Sequence, residues 1–339
     1  MVLPFPSDDG HRQDGGPHFD GHAHGATDQT IATSERGIWA VKWSFAGLAV
    51  TALIQLVIVY FSGSVALLAD TVHNFGDATT AVPLWIAFAL ASRRPSQRFT
   101  YGYGRVEDLA GAVVILIILL SAIVAGYQSI ERLLNPQPVQ QLGAVVVGAV
   151  LGFLGNEAVA QFRLRVGHEI GSAALVADGY HARADGLSSL AVLGGAVGVG
   201  LGFPMADPMV GILITLMILR IVWGASRTVF TRMLDGVEPE LVAEIEQTVR
   251  HTRGVREVSE TRVRWLGHRL HAEVNLSVAP GLSVQEAHAI AREARHQLMH
   301  HLGHLSNATI HVDPDGTTGE EHHRIEEHSH DGLPPHSHE

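Results

Sequence analysis

The sequence contains no cysteine, which rules out both a disulfide framework and a thiolate metal centre. Charge is scarce, at 17% of 339 residues, and unevenly spread. From about Ile38 to Trp223 the chain is apolar and glycine-rich, with most acidic and basic residues outside that stretch. A signal peptide is also missing. The first 36 residues, with HRQDGGPHFDGHAHG, have neither a basic start nor an apolar run behind it, and read as a disordered tail that stays where it was made. The apolar runs lack the period-2 alternation of barrel strands, which leaves helices. The net charge of −11 comes mainly from the polar ends and identifies no partner.

What is present is a series of apolar segments near bilayer length: 38–61, 64–91, 106–130, 141–161, 172–202 and 206–226. Ser62-Gly63, Arg93-Arg94-Pro95, Asn135-Pro136-Gln137-Pro138, the stretch from Arg163 to Gly171, and Gly202-Phe203-Pro204 break them apart. A mean hydropathy of +0.17 agrees with a polytopic α-helical membrane protein of six transmembrane helices. Arg93, Arg94, Arg98 and Arg105 follow the second segment, Arg163 and Arg165 the fourth, and Arg227 and Arg232 the sixth. The opposite loops offer only Arg132, so the positive-inside rule places both termini in the cytoplasm, in an inner or plasma membrane. Gly148, Gly152, Gly194, Gly198 and Gly202, at four-residue spacing, are candidates for close helix packing.

Two of the segments carry the same pattern. Residues 67–77 read LLADTVHNFGD and residues 175–185 read LVADGYHARAD. On a helix, positions four apart share a face, so His73 stacks on Asp77 and His181 on Asp185, with Asp70 and Asp178 extending the two stripes. Ionisable groups at membrane depth are costly and usually line an ion or proton path. Two imidazoles and two carboxylates form a nitrogen–oxygen set that suits tetrahedral Zn²⁺, and their charge of −2 balances a divalent ion. Co²⁺, Fe²⁺, Cd²⁺ and Mn²⁺ remain alternatives. Protons compete with metal for the same donors, so a proton gradient can reset the site. Asp70 and Asp178 are expected either to orient the histidines and relay protons, or simply to hold helices together. Arg183, on the opposite face from His181, needs a partner, and Glu157 is the candidate. An intramembrane metalloenzyme is a distant alternative, since no HExxH helix is present and His168-Glu169 does not continue to one.

Six segments, HNFGD in the second, HARAD in the fifth, the loop YGYGR and a small C-terminal domain together resemble the cation diffusion facilitator family, in its zinc-transporting branch. The resemblance spans about residues 37–315. It implies a homodimeric exporter that exchanges divalent metal for protons across the bilayer, with His73, Asp77, His181 and Asp185 as transport site and Zn²⁺ as both cargo and possible regulator. Nucleic acid is not among the expected partners. It also implies a charge interlock between Arg105 and Asp235 that holds the dimer at the membrane surface. A loop metal site found in some members is expected to be absent, because Phe99 and Tyr103 stand where its histidines would be.

Four regions follow: a tail over 1–36, a membrane domain over 37–228, a domain over 229–315 and a histidine-rich tail over 316–339. The third reads helix, strand, strand, helix, strand, with Pro239 opening the first helix and Ser283 capping the second. That second helix is expected to bury Val284, Ala287, Ala291, Ala294 and Leu298. The order resembles the family's α+β cytoplasmic domain, ferredoxin-like and metallochaperone-like. His288, His311 and Asp313 match its ligand positions, whereas Ser259 and Asn275 replace two others, so His268, His271 or the tails would have to complete a metal site there. Both tails are expected to be disordered, weak collectors of metal.

Overall fold

The computed structural model describes residues 24–62, 81–135, 142–203, 205–316, 325–328 and 336–338. In its N-terminal part, α1 (His24–Ser62), α2 (Ala81–Ala91), α3 (Arg105–Leu134), α4 (Leu142–Ile170), α5 (Ala173–Gly200) and α6 (Ala206–Met233) pack side by side. Four of these are long and apolar enough to cross a membrane: α1 over Ala32–Phe61, α3, α4 over Gly143–Ile170, and α6. At 1.5 Å per residue, the 30 residues of α3 reach about 45 Å, which exceeds the hydrocarbon thickness of about 30 Å. The other two expected crossings stand differently. Of the second, only the 11 residues of α2 are described, and α5 has the length at 28 residues but carries Asp178, Arg183 and Asp185.

Several boundaries depart from the apolar runs. The first helix begins at His24, inside the stretch expected to be a disordered tail, although HGATDQTIATSERG holds Gly, Thr, Ser and Asp that favour a helix weakly; Thr33 and Ser34 near its end find a partner in His268 of the C-terminal domain. The fourth helix continues past residue 161 to Ile170, which moves Arg163 from the expected loop into a buried helical position. Gly171, in the left-handed region at φ 72°, turns the chain directly into α5, whose N-cap Ser172 accepts from the Leu175 amide. This hairpin of α4 and α5 is the most extensive helix pairing among the described residues.

Small residues make that pairing close. A Cβ on Gly179 would lie 3.0 Å from the Leu164 backbone nitrogen, and one on Gly167 would lie 3.0 Å from that of Val176. Of the glycines expected at helix contacts, Gly152 faces Ser189 and Gln55, Gly194 faces Val210 and Gly198 faces Ala206. Gly202 is a turn residue instead, at φ 91° with open space around it.

The C-terminal domain follows the expected order: α7 (Pro239–Arg250), β1 (Val255–Leu266), β2 (Arg269–Val278), α8 (Val284–His301) and β3 (Leu305–Pro314). β2 is central, antiparallel to β1 and parallel to β3. Its alternate residues Leu270, Ala272, Val274 and Leu276 are buried beneath Ile245 and Val249 of α7 and Ala294 and Leu298 of α8. Ser283 and Glu286 close a capping box on α8, and the hydrogen bonds from Ser283 draw the Glu286 carboxyl below its usual range. Val284 is exposed, contrary to expectation, since it sits in the first turn beyond the reach of the sheet. The C-terminal tail also carries structure, with two short antiparallel strands, β4 (Ile325–His328) and β5 (His336–His338).

Candidate metal site

On α5, His181 and Asp185 lie one turn apart with almost no solvent exposure, at 0% and 6%. Their Nδ1 and Oδ2 atoms are 3.6 Å apart. Two donors bound to one tetrahedral zinc at about 2.0–2.1 Å would stand about 3.3 Å from each other, so the spacing suits a shared ion better than a direct hydrogen bond. Gly186, one residue past Asp185 and about 100° round the helix, has its missing Cβ 3.4 Å from the Asn156 side chain of α4. Asp70, His73 and Asp77, the second half of the expected pattern, lie outside the described residues.

The surrounding charges are paired. Asp178 faces Arg163 of α4 at 3.1 Å, both fully buried, and the same guanidinium donates to the Asp178 carbonyl at 3.4 Å. A buried carboxylate opposite a guanidinium satisfies both charges in a medium that solvates neither. Nothing in the apolar pattern signalled this pair, because Arg163 reads as a loop residue. Arg183 reaches Glu157 through two hydrogen bonds, 3.2 Å from Nε and 2.8 Å from Nη2. The fork geometry keeps a guanidinium on the outer side of α5 without exposing it alone to lipid.

At the start of α3, Arg105 contacts the Asp235 carboxylate of the same chain and donates to the Arg232 carbonyl at 2.9 Å. Asp235 adopts φ 61° in the turn after α6, a conformation that Asp tolerates better than most residues. In the C-terminal domain, His311 Nε2 stands 3.1 Å from Asp313 Oδ1 on one face of β3. His288 is exposed on α8, and among the described residues no three His, Asp or Glu side chains form a group able to hold a metal. The two expected substitutes lie elsewhere. His268 is buried against Glu107 of α3. His271 stands opposite Asn307, four residues along β3 from His311, and burial, aided by Arg264 and Arg269, holds its imidazole down to about pKa 4.

Comparison with known proteins adds to this geometry. Residues 41–234 match the family described as the cation efflux transmembrane domain, and residues 237–315 match the cation efflux protein cytoplasmic domain. A probable cation efflux system protein of Mycobacterium tuberculosis is 54% identical over 299 residues, covering 87% of this chain and 90% of that protein. A zinc transporter of Shigella flexneri is 27% identical, covering 94% of this chain and 98% of its own. A manganese efflux system protein of Bacillus subtilis is 25% identical, covering 74% and 87%. A solved MamM C-terminal domain is 22% identical with a TM-score of 0.22, covering 23% of this chain and 98% of that one.

Proposed function

Because the chain belongs to the cation efflux family, a family of membrane transporters and not of enzymes, we propose that it exports Zn²⁺ from the cytoplasm in exchange for protons. The observation that carries this reading is the buried His181–Asp185 pair on α5, one turn apart and spaced for a common ion. The same Asp-x-x-His-x-x-x-Asp spacing recurs at Asp70, His73 and Asp77, and the proposal takes His73 and Asp77 as the other two donors from that spacing alone.

Two neutral imidazoles and two carboxylates carry −2, which one Zn²⁺ neutralises and which two protons also neutralise. The site is then uncharged in either loaded state, a condition for crossing between two sides of a low-dielectric medium. Rocking of helices about a site near the midplane would expose it to each side in turn. Imidazole nitrogen in the set favours zinc over manganese, whose preferred donors are oxygen. Relatives named for zinc and for manganese make that discrimination worth measuring. The chain is further proposed to run through the plasma membrane six times with both termini cytoplasmic, and to work as a homodimer joined through its cytoplasmic domains, with Arg105 and Asp235 as the interlock at the membrane surface.

The test is flux into reconstituted vesicles under an imposed pH gradient, with Zn²⁺, Co²⁺, Cd²⁺, Fe²⁺ and Mn²⁺ in parallel. Zinc is expected to move fastest, and Asp185→Ala to abolish its movement. Undiminished zinc flux in that variant would remove Asp185 from the transport site, and flux indifferent to the gradient would remove proton exchange.

A further inference from the structure

The turn between β1 and β2 is where the cytoplasmic domain presses on the membrane helices. Gly267 is in the left-handed region at φ 65°, and a Cβ there would lie 2.7 Å from the Gly104 carbonyl oxygen and 2.8 Å from Glu107 Oε2. In the reverse direction, a Cβ on Gly104 would lie 2.5 Å from the Leu266 carbonyl oxygen. Backbone therefore meets backbone, and the Gly267 amide donates to Asp108 at 3.3 Å. The next residue enters the membrane domain. His268 Nδ1 is 2.6 Å from Glu107 Oε2, with the two residues 3% and 0% exposed. On its other side, His268 Nε2 lies 3.1 Å from Thr33 Oγ1 and 3.3 Å from Ser34 Oγ, both on α1.

Glu107 continues the connection. Its Oε1 accepts from Ser172 Oγ, and that same oxygen caps α5 by accepting from the Leu175 amide at 3.1 Å. Arg232 secures the preceding residue, donating to the Gly171 carbonyl at 2.6 Å. A bonded path thus runs from His268 of the cytoplasmic domain, through Glu107 of α3, to the first turn of the helix that bears His181 and Asp185. Burying a carboxylate and an imidazole where two domains meet is costly, and an apolar contact would serve adhesion alone better. The polar pair instead fixes direction and register, because hydrogen bonds are lost over tenths of an ångström.

We propose that His268 and Glu107 are positioning residues for transport, which seat the amino end of α5, and with it the ion donors, according to how the cytoplasmic domain is docked. The proposal rests on the reading of α5 as the ion-carrying helix. Ser172 and His181 are separated by nine residues of continuous helix, about 13 Å, which moves as one rigid element.

The experiment uses the full chain in proteoliposomes, reading zinc flux under a pH gradient together with equilibrium zinc binding. His268→Ala is expected to lower maximal flux by about tenfold while KM stays within about twofold, the signature of a lost positioning contact and not of a lost ligand. His268→Asn, whose amide nitrogen falls near the imidazole Nδ1, restores most of the flux. Ser172→Ala gives a smaller fall, and combining it with His268→Ala adds nothing, since both cut one series connection. Wild-type maximal flux in His268→Ala, failure of Asn to rescue, or a double variant as poor as the product of the two singles would overturn the proposal. If His268→Ala does not yield folded protein, His268→Asn and Ser172→Ala carry the test by the same criteria. Asp185→Ala, run alongside, separates the two levels. Normal flux in it defeats the assignment of the ion site, whereas a dead Asp185→Ala beside an unimpaired His268→Ala leaves that site standing and defeats the joint alone.

Discussion

In the cytoplasmic domain, Leu270, Leu276 and Leu298 are sealed inside, while charged residues such as Glu260, Arg262 and Glu293 lie in water. Among the membrane helices the order is nearly reversed. Leu213, Leu216 and Trp223 of α6 face outward, while Arg163, Asp178 and His181 are buried. The first domain is held by removing apolar surface from water, a driving force that lipid does not supply between helices. The second relies on close backbone approach, as where Gly111 of α3 meets Ala174 of α5, and on polar groups that must find each other because the surroundings offer no substitute. The same residue types therefore carry different weights on the two sides of the membrane surface.

That contrast can be tested by substitution. The largest effect is expected from Arg163→Ala, which leaves Asp178 charged and buried without its partner. A loss of about 3–5 kcal/mol is expected, measured as a lowered unfolding midpoint in detergent, and a paired apolar replacement of both residues should recover most of it. Next, Leu298→Ala should cost about 2–5 kcal/mol in the cytoplasmic domain, whereas Leu216→Ala on the lipid face should cost less than about 1 kcal/mol. Equal losses from the two leucines would erase the distinction between the domains. Third, Glu157→Gln and Arg183→Gln should show a coupling of about 1–2 kcal/mol in a double-mutant cycle, and additive losses would mean that the pair does not act as one.

The remaining prediction concerns pH. Burial holds the His271 imidazole at about pKa 4, and burial together with Arg232 and His268 also lowers that of His304. An unfolded histidine takes up its proton near pH 6.5, whereas these stay neutral in the folded domain, so the unfolded state binds more protons as pH falls. Stability of the cytoplasmic domain should therefore be full above about pH 7 and decline toward pH 4. Thermal unfolding across that range should show a flatter profile for His271→Phe, and an unchanged slope would remove His271 as a contributor.

Much of the architecture was legible because it rests on one-dimensional patterns. The long apolar runs became α1, α3, α4 and α6, and the strand–strand–helix–strand order of the cytoplasmic domain follows alternation and caps that a single sequence displays. The Arg183–Glu157 pair could be anticipated because a deep guanidinium requires an acid within reach. What escaped depended on contacts between distant segments. Arg163 reads as a loop charge, since hydropathy falls before the helix ends. His268, following a glycine between two strands, reads as a candidate to complete the cytoplasmic metal site, and only the docking of one domain on another reveals the carboxylate waiting for it. Glu107 and Asp108 show a weak signal in retrospect, two acids at the mouth of an apolar run where positive charge is the norm.

The meeting of Gly104 and Gly267 has a mechanical consequence. Two main chains pressed together without intervening side chains form a bearing: the parts can pivot about that point but can neither slide past it nor draw closer. A small swing of the distal end of the cytoplasmic domain would thus return to the membrane as torque on the start of α3, the way an oar works against its rowlock.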